Sequence, residues 1–259
     1  MTLIVRPGFQ FDTDASTYIE AVEVADAQAL ETATRYAIND FVIGCKQDGI
    51  WSAIKASCIL SGARTLAGAL VPLAGTAPTN FNFVSGDYNR KTGLVGDGST
   101  KYLNSNRNNN DDPQNSNHLS VYASTQATSS LGIFPFYIGA GRDASGAKHI
   151  GRFESNGNLF TRNCSQAFDS SSASASGFLA INRSASSTYG TRFASTNKII
   201  AQTSQTPLNE NISVFWSGTN TLDRSNGRLA FYSIGESLNL DALDARVTAL
   251  ITAFGVAIP

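Results

Sequence analysis

The sequence predicts a mainly β protein, a sandwich or jelly roll of short strands with an α-helical N-terminal portion and a closing C-terminal helix. Three observations predict it. From Thr79 onward apolar residues recur with the period of a pleated strand, in short runs separated by turn residues at fairly regular intervals. Apolar residues near both ends of the chain instead follow at helical spacings of three and four. Heavy use of Ser, Thr, Asn and Gly suits turns and exposed sheet faces. At 259 residues the chain can bury a sizeable core, and one all-β domain of this size is common.

Residues 1–12 read as an extended arm, turned by Pro7-Gly8, with Phe9 and Phe11 on one side. Such an arm packs on its own domain or on a neighbouring subunit, and most termini serve their own fold. Residues 13–75 read as a helical portion docked on the sandwich. Asp14 is the expected N-cap of a first helix carrying Tyr18, Ile19 and Val22. A second runs from about Asp26, with Leu30, Ala33, Ala37, Phe41 and Cys45 on one stripe, and Gly49 ends it. A shorter helix carrying Trp51, Ile54 and Cys58 is expected up to Gly62.

Residues 76–259 form the expected sandwich. Its candidate strands are Asn80–Val84, Lys101–Asn104, Leu119–Ser124, Phe134–Gly139, His149–Glu154 and Asn158–Arg162, then Phe178–Arg183, Thr188–Phe193, Ile199–Gln202, Ile212–Ser217 and Arg228–Ile234. Two segments of low complexity, Asn104–Asn117 and Asp169–Ser176, read as a solvated loop and a flexible connector. After the last strand Gly235 breaks the run, and Ser237 or Asn239 caps a helix whose Leu240, Leu243, Val247, Leu250, Ile251 and Phe254 share one face.

Composition excludes several classes. A net charge of −1 with 15% charged residues gives no basic face for a nucleic acid. The opening MTLIVRPGFQF reads as neither a secretory signal nor a membrane anchor, and Leu66–Leu73 is far too short to span a bilayer, so no membrane insertion is expected. Cys45, Cys58 and Cys164 form no CxxC pair, and read as small buried hydrophobes rather than a disulfide or metal site.

The stretch Gly93-Leu94 through Gly96-Asp97-Gly98-Ser99-Thr100-Lys101-Tyr102-Leu103 resembles the opening strand of the concanavalin A-like, laminin-G-like sandwich. The later GRLAFYSIG and its short helix resemble the closing strand. The longer run Ile50–Asn110 is similar to a segment that recurs in tailed-bacteriophage virion proteins carrying this sandwich. The resemblance implies a non-enzymatic, lectin-like external module of a phage particle, on a tail fibre or baseplate or decorating the capsid. It implies other virion proteins and copies of itself as partners, a host-surface glycan as a further one, and the virion as its place after synthesis in a host cytoplasm. The alternative is a carbohydrate-binding receptor-recognition lectin or, further off, a glycan-degrading enzyme.

Residue by residue, no catalytic, cofactor-binding or metal-binding constellation emerges. Sandwich glycosidases of this fold resemble one another in an ExDxxE-type strand, whereas Glu154, Glu210 and Glu236 each stand alone in their segments. His118 and His149 lack a nucleophile partner and zinc spacing, and read as strand-edge residues. Asp97, Asn108–Asn110, Asp111 and Asp112 could offer oxygens to calcium, yet their spacing matches no EF-hand and no structural calcium is expected. Tyr88, Tyr102, Tyr122, Tyr137, Tyr189, Trp216 and the Asn-rich loop could serve a glycan, although strand aromatics are first of all packing residues. No glycan-binding face is singled out. Asn89-Arg90-Lys91 reads as a solvated basic turn.

Overall fold

The computed structural model describes residues 10–130, 132–154, 156–173, 175–218 and 220–259. Residues 1–9 of the expected arm lie outside the described residues. Phe11 lies within them and packs on its own chain, its ring 5.4 Å from that of Tyr36.

The chain opens with α1 (Thr13–Asp26) and α2 (Thr32–Gln47). Asp12, not Asp14, caps α1 by accepting from the Asp14 N–H. At the other end of α1 Asp26 accepts from Arg64 N, Thr65 N and the Thr65 hydroxyl, so the helix is tied to the chain beyond it. The third expected helix is corrected. Trp51–Ala53 is a single 3-10 turn that runs into β1 (Ile54–Ile59). Ile54 and Cys58 suit a period of two as well as one of four, and pairing with the last strand decides between them: Ser57 sits opposite Ser233 and Cys58 opposite Tyr232.

After the four-residue α3 (Leu66–Ala69) come β2 (Thr79–Phe81), β3 (Tyr88–Asn89), β4 (Gly93–Val95), β5 (Tyr102–Asn108), β6 (Asn117–Thr125) and β7 (Phe136–Ala140). Then follow β8 (Lys148–Arg152), β9 (Leu159–Asn163), β10 (Asp169–Ser172), β11 (Gly177–Arg183), β12 (Thr188–Phe193) and β13 (Thr196–Ala201). The chain ends with β14 (Asn211–Val214), β15 (Arg228–Gly235) and α4 (Leu240–Ala257). Asn239 caps α4 by accepting from Asp241 N and Ala242 N.

The strands form two antiparallel sheets. One runs β13-β12-β11-β6-β15-β4-β3, with β1 also on β15; the other runs β10-β9-β8-β7-β14-β5-β2. Between them Leu103, Leu119, Val121, Ile138, Ile150, Leu179, Val214 and Ile234 form one core. A second core lies on the far side of the first sheet. There Phe178, Ala180, Ala230 and Phe231 meet Phe41 and Val42 of α2 and Val247, Leu250 and Phe254 of α4. Among the described residues the molecule is therefore layered: α-helices, a helix-backed sheet, and an open sheet whose outer side no α-helix covers.

Both low-complexity segments are corrected. Asn104–Asn108 belongs to β5, and Asn109, Asp112 and Asn117 are buried. Their amides and carboxylates bond to the protein itself: Asn109 donates to Gly146 O and Leu208 O, and Asp112 pairs with Arg107 at 2.5 Å. Asp169–Ser172 is an edge strand on β9.

Candidate functional site

The alternation along β5 that turns Leu103 into the core directs Tyr102 to the other face of the open sheet, where it is half-buried and still packs against that core. Phe81 lies opposite Tyr102 in register, and the two rings stack at 4.3 Å with planes 5° apart. Trp216, just beyond β14, leans on Tyr102 at 4.7 Å and 59°. The Arg224 guanidinium lies 4.5 Å from the Trp216 ring and 5.3 Å from that of Tyr102. Phe81, Tyr102, Trp216 and Arg224 are all half-buried, so part of each remains open to solvent.

Neighbouring loops hold this platform. The Trp216 indole N–H donates to Asn220 O at 2.7 Å, fixing the ring about its own loop. That loop is latched by Asp223, fully buried, which accepts two bonds from Arg142 at 3.0 and 3.2 Å. Burial pushes the Asp223 carboxyl up, and Arg142 opposes the shift. Arg224 donates to Ser99 O at 2.5 Å, which ties it to the Asp97 turn. In that turn desolvation works to raise Asp97. The Thr100 hydroxyl and the N–H groups of Ser99, Thr100 and Lys101 outweigh it and hold the carboxyl well below its usual range. Gly96 is required here, because a Cβ would fall 1.9 Å from Ser225 O.

Exposed polar groups lie beside the platform at Asn82 and farther along β5 at Asn106. Asn82 and Asn106 hold left-handed backbone, at φ 67° and 56°, a region that Asn tolerates better than most residues. Asn82 donates to Thr100 O, and Asn106 to Ala77 O and the Thr79 hydroxyl. Flat apolar ring surface beside fixed amides and hydroxyls can stack against a sugar ring and hydrogen-bond its hydroxyls.

Two of the six sequence-nominated aromatics, Tyr102 and Trp216, thus come together. Tyr137 and Tyr189 are sealed in the core, their hydroxyls bonded to Ala127 N and Thr161. The Tyr88 hydroxyl donates to Ala63 O, and Tyr122 packs on the helix-side core. Phe81 and Arg224 were not singled out by the sequence. Register places the first, and the second arrives on a loop that no periodicity describes.

The remaining candidates are dispersed. Glu154 accepts from Gly132 N at 2.5 Å and Glu236 pairs with Lys55 at 2.9 Å, while Glu210 precedes β14. Asp111 accepts from Asn108 N. Among the described residues no group of three or more His, Cys, Asp or Glu comes together to hold a metal. Cys45, Cys58 and Cys164 are buried free thiols, and the Cys58 sulfur accepts from the Tyr232 hydroxyl at 3.4 Å. Burial pushes the thiols of Cys45 and Cys58 up to about 12. Arg90 is corrected: it forks onto Glu31 at 3.0 and 2.7 Å and binds Ala63 O, joining its turn to the helical portion.

The histidines are corrected too, since both are fully buried. His118 lies on the helix side of β6, bonded to Ser233 Oγ at 2.8 Å and Glu236 O at 2.6 Å. His149 lies on the outer side of the open sheet, wedged between the Phe136 and Phe160 rings, and among the described residues has one hydrogen bond, to Gly141 O at 3.3 Å. Desolvation pulls His118 down to about 4 and His149 down to about 3.

No family model matches the chain, and no curated protein matches it by sequence. Among solved structures it is similar to the binding domain of botulinum neurotoxin serotype D, at 13% identity and a TM-score of 0.49, over 76% of this chain and 51% of that one. It is similar to domain 4 of AbnA, an extracellular arabinanase from Geobacillus stearothermophilus in complex with arabinotriose, at 14% identity and 0.37, over 69% and 82%. A third is an arabinofuranosidase complexed with arabinofuranosyl-alpha-1,2-xylobiose, at 11% and 0.37, over 78% and 43%. The chain spans about half the length of the first of these. Likenesses at these identities and TM-scores carry no argument about what this chain does.

Proposed function

We propose that this protein is a non-enzymatic, lectin-like module on the outside of a tailed-phage particle, and that it binds a glycan of the host surface. One observation carries the glycan reading: the half-open Phe81–Tyr102–Trp216 platform, with Asn82 and Thr100 beside it, on the sheet that no α-helix among the described residues covers. The virion reading rests on the sequence run Ile50–Asn110, which is similar to a segment of tailed-phage virion proteins, while the closing strand and helix resemble only the concanavalin A-like sandwich those proteins carry. In this reading the helical side fixes the module to the particle, and copies of the chain are arranged by the particle's symmetry. The non-enzymatic reading is supported by the dispersal of Glu154, Glu210 and Glu236 over separate elements.

Labelling the chain with gold on purified particles tests the location. Signal on the head assigns it to capsid decoration, and signal at the tail tip or fibres to host recognition. Particles without signal overturn the virion reading and leave the glycan reading to be judged by binding.

A further inference from the structure

At the end of the sandwich marked by the 109–117 loop, three polar side chains are sealed between the sheets. The alternation that sends Ile150 into the inter-sheet core sends Lys148 there as well, and the same holds for Leu159 with Asn163 and for Leu119 with Asn117. All three are 0% exposed. Among the described residues the ammonium nitrogen of Lys148, both amide atoms of Asn163 and Oδ1 of Asn117 have no hydrogen-bond partner. Such groups are almost always paired in a folded chain, and a lone buried ammonium is the least tolerated of them.

Lys148 and Asn163 are direct register partners on β8 and β9. Opposite residues on one face of an antiparallel pair stand about 4.5–5.5 Å apart at Cβ. The Asn163 backbone is held from the facing sheet, because Arg183 donates to its carbonyl from Nε at 3.0 Å and Nη2 at 2.7 Å. Burial drives Lys148 toward the neutral amine, the nucleophilic form, while the charges of Cys164 and Asp112 oppose that shift. Asp112 is itself buried, on Arg107.

We propose that Lys148 and Asn163 become joined by an intramolecular isopeptide bond. The Lys148 Nζ lone pair attacks Cγ of Asn163. The Cγ–Nδ2 bond breaks, and Nδ2 leaves as ammonia, taking with it a proton given up by Nζ. One amide replaces another, and nothing is oxidised or reduced. The product removes an unpaired cation and an unpaired amide from the interior and fastens β8 to β9. Asn163 is the acceptor rather than Asn117, whose Nδ2 is engaged with Pro113 O at 3.1 Å and Gln114 O at 3.0 Å.

Intact mass and a tryptic map of the full chain test this. The folded protein is expected about 17 Da below its sequence mass, the loss of one ammonia. The map should lack cleavage after Lys148 and contain a branched peptide joining Lys148 to Asn163. Lys148→Ala and Asn163→Ala should each regain full sequence mass, with folding checked by circular dichroism. Full sequence mass in the wild-type chain overturns the proposal. So does a loss that persists in Lys148→Ala, which would mark a succinimide at Asn156-Gly157 or Asn226-Gly227, or a branch located at Asn117. Should the variants not fold, the wild-type map decides alone.

Discussion

The two outer faces of the sandwich begin from the same alternating strands and end in different states. On the helix-backed sheet Phe178, Ala180, Ala230 and Phe231 are covered by α2 and α4 in a continuous apolar layer. On the open sheet loops seal Phe136, Phe160 and His149, yet leave Phe81, Tyr102 and Trp216 half-covered. The histidines repeat the contrast, since His118 has two hydrogen-bond partners under the helices and His149 has one under the loops. Helices cover a face completely because their periodic side chains interdigitate with it. Loops cover it in patches, and the gap they leave here is lined by rings.

The largest effect is expected under the helices. Phe231→Ala removes a fully buried ring packed edge-on to Phe41 at 5.9 Å, and should cost about 3–5 kcal/mol in denaturant unfolding. A loss below about 1 kcal/mol would show that the helix layer is not part of the cooperative core.

Acid should act on both faces. The folded pKa of each histidine lies below its unfolded value of about 6.5, so below that pH the unfolded chain binds protons that the folded chain refuses. Stability should therefore be fully present above about pH 6.5 and fall as pH drops toward 4, by about 3 kcal/mol per histidine. His149→Phe should remove its share of that slope, read as denaturation midpoints at pH 7 and 4.5. An unchanged slope would mean that His149 titrates normally and is not sealed.

Smaller losses sharpen the comparison. Asp26→Ala should cost about 1–3 kcal/mol, since it strips acceptors from Arg64 N and Thr65 N; a neutral result would detach α1 from the account. Trp216→Ala should cost no more than about 1.5 kcal/mol, because its ring is only half-buried. Least of all, Lys46→Ala should change stability by less than about 1 kcal/mol, its ion pairs with Asp12 and Asp14 being at the surface.

Strands whose inner face is apolar were legible in the sequence, and Thr188–Phe193 matches to the residue. β1 was hidden because Ile54 and Cys58 satisfy two periods at once. β10 was hidden because Asp169–Ser172 contains no apolar residue. The burial of His149 and Lys148 was illegible for another reason. β8 is covered on both faces, so its polar residues carry no outward signal. The Asn-rich segment misled by composition, since Asn109 and Asn117 find carbonyl partners only in the folded chain. At the platform Tyr102 and Trp216 stood among the nominated aromatics, but selecting them required the register of Phe81 and the course of the Arg224 loop.

A glycan array screened with the full chain beside Trp216→Ala and Tyr102→Ala tests the central claim most directly. The account predicts binding to one glycan class, lost at least about tenfold in both variants while their unfolding midpoints stay near that of the parent. Binding that survives both substitutions would place recognition elsewhere on the molecule, and no binding by the parent chain would contradict the glycan reading.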